Sequence, residues 1–202
     1  MIKAIIFDLG DVIVKVDQTE QFRKFSARSG KDAFQIRQYF EGRIKNELGR
    51  GEISPRQFYQ RTSSKLGLKM NFEEFKKAWC DIFELNKDVA KLIENLKGKF
   101  KLILLSNTDA LHFPYIRRKF KVVNAFDDFV LSYEIGCMKP NTLIFLNVLR
   151  KAGTIPFNCA YFDDIKSFVH VARLMGIKGF QYVNFDKLVD DLKKIGVLTK
   201  TL

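Results

Sequence analysis

Residues 2–12 spell Ile-Lys-Ala-Ile-Ile-Phe-Asp-Leu-Gly-Asp-Val, an apolar run that ends on the carboxylate of Asp8. A short apolar run bounded by turn residues is typical of a buried strand in a parallel sheet. Reactive groups in open α/β sheets gather at the carboxyl ends of the strands. The stretch therefore predicts a first strand over 2–7 and places Asp8 where a catalytic group would lie, although a strand-end Asp also commonly caps a turn.

Apolar strand patterns alternate with helical patterns from about residue 87 onward. We predict strands at 101–105, 129–131, 160–162 and 179–182, with helices near 110–119, 142–152, 166–175 and 185–195. This alternation predicts an α/β fold with a doubly wound parallel sheet and helices on both faces.

The segment between these two parts has a helical pattern with no clear strand. Aromatic residues recur in it at helical spacing, and Ser54-Pro55 is typical of a helix start. We expect a smaller all-helical cap domain over 17–85, inserted into an α/β core formed by 1–16 and 86–202. Gly49 to Glu52 predicts a turn within the insert.

Composition limits the classes of protein to which this chain can belong. Its 202 residues are 47% hydrophobic and include 20 Phe, which excludes general disorder. No apolar stretch is long enough to span a bilayer, and Asp8 interrupts the only N-terminal run that resembles a signal peptide. The three widely spaced cysteines indicate neither a disulfide framework nor a metal knuckle. We expect a cytoplasmic protein that does not bind membranes.

The net charge of +12 first suggests a nucleic-acid partner. However, the basic residues are scattered, and no helix-turn-helix, zinc-finger or RNA-binding motif is present. The charge therefore favours small anions such as phosphate esters over nucleic acid, and most of it is expected on solvated helix faces.

Four polar clusters follow predicted strands or precede predicted helices. They are Asp8-Leu9-Gly10-Asp11, Ser106-Asn107-Thr108-Asp109, Lys139-Pro140 and Asp163-Asp164. Each cluster alone is ordinary loop chemistry. Together they supply a nucleophilic carboxylate, a hydroxyl and an amide for oxygen atoms, a cation, and paired acids for a hard metal ion. Phosphoryl transfer requires this combination, and Mg²⁺ prefers such oxygen ligands.

With these motifs in this order over about 2–196, the sequence resembles the haloacid dehalogenase-like hydrolases, in the branch whose helical cap follows the first strand. The resemblance implies a role for each motif residue. Asp8 would be the nucleophile and a metal ligand, the Gly10 carbonyl a second ligand, Ser106 and Asn107 the holders of phosphoryl oxygens, and Lys139 the cation that steadies nucleophile and phosphate. Asp163 and Asp164 would hold Mg²⁺, Asp164 directly and Asp163 through water.

Two residues depart from the pattern of the family. Phosphatases of this family usually carry a second Asp two residues after the nucleophile as general acid and base, but this chain has Gly10 there. Asp11 is the next acid, and in an extended segment it would face away from the nucleophile. Phe168 stands where the family often has an Asn that supports the acidic loop.

The leading hypothesis is a Mg²⁺-dependent phosphomonoesterase that acts on a small phosphorylated metabolite, such as a sugar phosphate, through an aspartyl-phosphate. Asp8, Asp11 and Lys139 would be its catalytic residues. One alternative is a catalytically silent member that binds a phosphate ligand or a partner. The other is a 2-haloacid dehalogenase, whose halide leaving group needs no acid, although the paired acids favour a metal.

Other basic, histidine and cysteine residues are further candidates for function. Arg43, Lys45 and Arg50 would reach an anionic substrate on cap closure if they are not simply solvated. We expect His112 and His170 to be packing or surface residues, and Cys137 a core residue, because no activating base accompanies that thiol.

Overall fold

The structure is a computed structural model that describes residues 1–199. Its strands are β1 (Ala4–Phe7), β2 (Val14–Val16), β3 (Phe83–Leu85), β4 (Lys101–Ser106), β5 (Asp128–Leu131), β6 (Cys159–Asp163) and β7 (Lys178–Gln181). Its helices are α1 (Thr19–Ser29), α2 (Ala33–Glu41), α3 (Arg43–Gly49), α4 (Pro55–Leu66), α5 (Phe72–Cys80), α6 (Lys87–Leu96), α7 (His112–Lys119), α8 (Ser132–Ile135), α9 (Thr142–Ala152), α10 (Lys166–Leu174) and α11 (Phe185–Lys194). Across residues 1–199, no helix combines the length and the apolar character needed to cross a membrane.

Five parallel strands form the main sheet in the order β5-β4-β1-β6-β7. The chain runs from the central β1 outward through β4 and β5, and then returns to the other side of β1 for β6 and β7. This reversal makes β1 the topological switch point, where α/β sheets bind ligands outside the carboxyl ends of their strands. The predicted doubly wound α/β fold is confirmed.

The central strand is apolar on both faces, which explains its continuous hydrophobic run. Ile5 and Phe7 belong to the larger core cluster, which also contains residues of α6, α7 and α11. Ala4 and Ile6 belong to a second cluster that includes residues of α9 and α10. Because helices cover both faces of the sheet, no polar alternation is possible along β1.

Helices α1 to α5 enclose a hydrophobic cluster of their own. Phe25, Phe40, Phe58, Phe75 and Trp79 are all buried in it. Their rings pack with centroid separations of 4.8–6.4 Å, which is the usual range for aromatic pairs. We call helices α1 to α5 the inserted helices and interpret them as a cap.

The predicted absence of strands in the insert is wrong at its far end. The two ends of the insert contain β2 and β3, which pair antiparallel with Val14 opposite Leu85. Each strand has only three residues, so neither gives a periodic signal in the sequence. Their pairing depends on a contact across the whole insert, and it holds the entry and the exit of the inserted helices together.

The predicted turn at Gly49 to Glu52 lies against the core. Gly51 has a φ of 68°, and a Cβ on this residue would overlap the backbone carbonyl oxygen of Tyr133. Ser132, directly before Tyr133, donates its hydroxyl to the Gly49 carbonyl at 2.6 Å. Glycine is therefore required at residue 51 both for its backbone conformation and for this close approach.

Candidate active site

The four polar clusters of the sequence converge at one edge of the main sheet. Asp8 directly follows β1, Ser106 ends β4, and Asp163 ends β6. These three strands are adjacent and parallel, so their carboxyl ends lie side by side. Lys139 approaches the same edge from the loop before α9.

Lys139 lies at the centre of this group. Its ammonium nitrogen is 2.7 Å from Oδ1 of Asp8 and 2.6 Å from Oδ2 of Asp163. It also donates to the Leu105 carbonyl at 3.3 Å. Burial alone would lower the pKa of Lys139, but the two carboxylates outweigh burial and raise it. Lys139 is therefore a buried ammonium whose charged form the two carboxylates favour.

Three carboxylates surround a space that fits a divalent cation. Ligand oxygens of Asp8, Asp163 and Asp164 all lie within 4.8 Å of one another. Burial raises the pKa of Asp8 to about 7; Lys139 opposes the rise and Asp163 adds to it. Burial and the charge of Asp163 also raise the pKa of Asp164. One lysine does not balance the charge of three carboxylates. A hard cation, which prefers oxygen ligands, would neutralise the excess negative charge.

Asp163 is fully buried, and its own side-chain contacts are extensive. Its Oδ1 accepts a hydrogen bond from the Ile165 backbone N–H at 2.8 Å. Its Oδ2 accepts from Lys139 and from the hydroxyl of Tyr161. Sequence reasoning missed Tyr161 because it reads as an ordinary strand residue. The spacing of Tyr161 and Asp163 could have identified it, because residues two apart on a strand point to the same face.

Asn107 contacts the backbone of Lys139, and Phe168 lies against its ammonium group. The amide of Asn107 accepts from the Lys139 backbone N–H at 2.7 Å and donates to its carbonyl at 3.0 Å. Asn107 therefore fixes the lysine backbone and keeps one amide N–H for another acceptor. Phe168 places its ring 5.2 Å from the Lys139 ammonium. Ser106 is buried one residue after Leu105, at the end of β4.

Asp11 does not lie in an extended segment, so the reason for expecting it to face away is wrong. Its φ is 53°, within a turn. One carboxylate oxygen accepts from the Val16 backbone N–H at 3.1 Å, and the residue is exposed. Its negative charge contributes, as a smaller cause after burial and Asp163, to the raised pKa of Asp164. Asp11 therefore lies on the same side of the sheet as the acids.

A cleft of about 790 Å³ runs from Asp11 to the inserted helices. Its lining includes Phe34, Arg37 and Lys45. Of the three basic residues considered as substrate contacts, only Lys45 is among these lining residues. Arg43 pairs with Glu47 and Arg50 with Glu52, at 2.5 Å and 2.6 Å.

His112 is a packing residue, as predicted. Its Nδ1 is 2.8 Å from Asp109 and its Nε2 is 2.9 Å from the Trp79 carbonyl, while its ring stacks on the Trp79 indole at 4.9 Å. These contacts join α5 of the inserted helices to the start of α7. His170 is exposed. Burial raises the pKa of the Cys137 thiol, so this cysteine is not an activated nucleophile.

Comparison with known proteins gives matches over most of the chain. A family model described as haloacid dehalogenase-like hydrolase matches residues 2–166. A D-ribitol-5-phosphate phosphatase from Bacteroides thetaiotaomicron is 31% identical over 193 residues, covering 91% of this chain and 93% of the relative. A phosphorylated carbohydrates phosphatase from Thermotoga maritima is 25% identical over 187 residues, covering 87% of this chain and 82% of the relative.

A solved structure shares the fold at comparable coverage. It is a HAD family enzyme from Bacteroides thetaiotaomicron in complex with magnesium and inorganic phosphate. It superimposes with a TM-score of 0.81 at 25% identity, over 91% of this chain and 95% of that chain. That enzyme thus binds a divalent cation and an anion. In this chain, the clustered acids have the chemistry to bind such a cation and the lysine has the chemistry to bind such an anion.

Proposed function

The chain belongs to the haloacid dehalogenase-like hydrolases, and within that family we propose that it is a magnesium-dependent phosphomonoesterase acting on a small phosphorylated carbohydrate. One observation carries the proposal: the Lys139 ammonium bridges Asp8 and Asp163, with Asp164 close by, at the switch point of the sheet. Two relatives named as phosphatases support it.

Asp8 performs the first step of the proposed reaction. Its carboxylate oxygen forms a bond to phosphorus while the bond from phosphorus to the ester oxygen breaks. The leaving alkoxide takes a proton from Asp11 or from a water molecule. Water then attacks the phosphorus of the aspartyl-phosphate and returns a proton to the group that protonated the alkoxide. The bond from phosphorus to Asp8 breaks, which releases inorganic phosphate and restores the Asp8 carboxylate.

The surrounding residues stabilise charge during both steps. Lys139 neutralises Asp8 before attack and the phosphoryl oxygens during it. Ser106 and the remaining N–H of Asn107 donate to those oxygens. Asp8, Asp164 and the Gly10 carbonyl would hold magnesium, with Asp163 as a further acid of the site. The bound ion would supply additional positive charge for the phosphoryl group.

The cleft beside Asp11 is the proposed site of the leaving group. Its lining is mixed, with Lys45 and Arg37 near Phe34. A polyhydroxylated chain offers acceptor oxygens to such cations while its carbon skeleton packs on the aromatic ring. The two relatives named as phosphatases, one of D-ribitol 5-phosphate and one of phosphorylated carbohydrates, point to the same chemical class.

Phosphate release from a panel of sugar and polyol phosphates, with Mg²⁺ and with EDTA, tests the proposal. We expect turnover that requires Mg²⁺ and that Asp8→Asn abolishes, while Asp128→Asn, at a surface ion pair, leaves it unchanged. Hydrolysis that is unaffected by Asp8→Asn would refute the proposal. Thermal protection by an ester without turnover would identify a silent binding protein. Chloride release from a 2-haloacid without metal would identify a dehalogenase.

A further inference from the structure

Three oxygen atoms of the protein lie within hydrogen-bond distance of the Lys139 ammonium. An ammonium group has three N–H donors and no acceptor. The oxygens of Asp8, Asp163 and Leu105 lie at 2.7, 2.6 and 3.3 Å, so each donor has one partner. A fourth polar neighbour would have no proton to accept from this lysine.

Two aromatic rings also lie near the Lys139 ammonium. The ammonium lies over the Phe168 ring, 5.2 Å from its centroid, and 5.9 Å from the centroid of Tyr161. Both distances are within the range in which a ring face attracts a cation. Phe168 lies in the first turn of α10, where its backbone N–H bonds to the Ile165 carbonyl at 3.0 Å. The helix therefore fixes the backbone of Phe168 independently of the lysine.

We propose that Phe168 is a positioning residue for the reaction: its ring face holds the Lys139 ammonium against Asp8 and excludes water from that side. The inference rests on the proposed function. It explains why Phe can stand at residue 168, where the family often has an Asn that supports the acidic loop. When a phosphoryl group arrives, one N–H of Lys139 must turn from Asp8 to a phosphoryl oxygen. A non-directional attraction to a ring permits that rotation, whereas a hydrogen bond to a side chain would oppose it.

Three variants separate the ring face from simple packing. Phe168→Leu removes the π face but keeps an apolar side chain, Phe168→Asn restores the amide common in the family, and Phe168→Tyr keeps the ring. Phe180→Leu is the control, because Phe180 stacks on Phe162 at 5.3 Å and its ring has no contact with Lys139 in the described structure. Each protein is assayed with Mg²⁺ and the best ester of the panel.

We expect Phe168→Leu to lower kcat about tenfold, or about 1.4 kcal/mol, with a much smaller change in KM. Phe168→Asn should lose at least as much, Phe168→Tyr should retain wild-type kcat, and Phe180→Leu should change stability but not kcat. Equal kcat in the wild type and Phe168→Leu would overturn the inference. So would equal losses in Phe168→Leu and Phe180→Leu.

A spectroscopic measurement keeps the inference separate from the proposed function. In the NMR spectrum of the wild type, the ring current of Phe168 should shift the Lys139 ε-methylene protons upfield. Phe168→Leu should remove most of this shift and Phe168→Tyr should keep it. An unshifted lysine in an active wild type refutes the inference alone. A wild type without turnover refutes the proposed function, and the catalytic role of Phe168 with it.

Discussion

The ammonium of Lys139 lies 2.7 Å from the carboxylate of Asp8, and both side chains are buried. The two residues are distant in sequence and meet only because β1 and β4 are neighbours in the sheet and Asn107, directly after β4, holds the Lys139 backbone. Lys139 also compensates Asp163, so one cation serves two buried acids. Each of these groups is consequently sensitive to the loss of another.

Lys139→Met should destabilise the protein in addition to removing activity. The substitution leaves Asp8 and Asp163 without their cation, and breaking a buried ion pair in this way costs about 3–5 kcal/mol. Urea titration in EDTA measures this loss as a fall in the free energy of unfolding. Lys151→Met, which breaks a partly exposed pair with Asp128, should cost at most about 1 kcal/mol. Similar losses for both variants would contradict the central position of Lys139.

Asp8 should make the metal-free protein less stable as the pH rises. Burial, which Lys139 only partly opposes, raises the pKa of Asp8 from 3.8 to about 7 in the folded state. The folded protein therefore binds a proton that the unfolded chain releases, and this contribution to stability is lost as the pH rises from about 4 to about 7. Asp8→Asn removes the effect.

Urea titration of the wild type and Asp8→Asn in EDTA tests this linkage. The stability advantage of Asp8→Asn should be larger at about pH 8 than at about pH 5, by up to a few kcal/mol. Because a bound cation favours the ionised carboxylate, saturating Mg²⁺ should reduce this advantage. An advantage that does not depend on pH would contradict the raised pKa of the buried Asp8 carboxyl.

Gly10 and Asp11 should together control the proton delivered to the leaving group. A Cβ on Gly10 would meet only the Val16 side chain, at 3.7 Å, so a larger residue fits there. If Asp11 carries the proton, Asp11→Asn should lower kcat for a polyol phosphate and leave p-nitrophenyl phosphate nearly unchanged. Adding Gly10→Asp to Asp11→Asn should raise kcat again by about tenfold or more, since a positioned acid contributes about 10²–10⁴-fold.

Gly10→Asn is the matched control, because it adds a similar volume without a titratable proton. It should not rescue Asp11→Asn on the polyol phosphate. Equal loss of kcat on both substrates in Asp11→Asn would show that Asp11 acts on something other than the leaving group.

Gly51 should tolerate alanine less well than Gly67 does. Both have positive φ, 68° and 67°, so alanine costs each about 1–2 kcal/mol in backbone strain. A Cβ on Gly51 would also overlap the Tyr133 carbonyl, whereas a Cβ on Gly67 meets nothing within 4 Å. Gly51→Ala should therefore lose about 1–3 kcal/mol more in urea titration. Equal losses would mean that the insert does not lie against Tyr133.

The sequence was sufficient for the features that local pattern and motif order determine. The apolar run before Asp8 predicted the central strand, and the alternation after residue 87 predicted the doubly wound sheet; both are confirmed. The convergence of Asp8, Ser106 and Asp163 followed from parallel topology, because the carboxyl ends of neighbouring parallel strands lie side by side. Lys139 joins them from the loop before α9, where Asn107 holds its backbone. The chemical roles of these residues stay predictions.

Features that depend on long-range contacts were not predictable. β2 and β3 are three-residue strands that exist only because they pair across the insert. The turn conformation of Asp11 was missed because nothing local marks a left-handed Asp. Tyr161 reads as an ordinary strand residue and Phe168 only as a departure from the family pattern. Their positions around Lys139 become visible only when the acidic loop and α10 are in place.

The covalent step at Asp8 is the central claim, and chemical trapping tests it most directly. The protein is mixed with Mg²⁺ and the best phosphate ester, treated during turnover with borohydride, which reduces an acyl phosphate, and digested for mass spectrometry. We predict a reduced side chain at residue 8 that appears only with substrate and is absent from Asp8→Asn. Steady turnover with the modification on another residue, or with none at residue 8, would contradict this account.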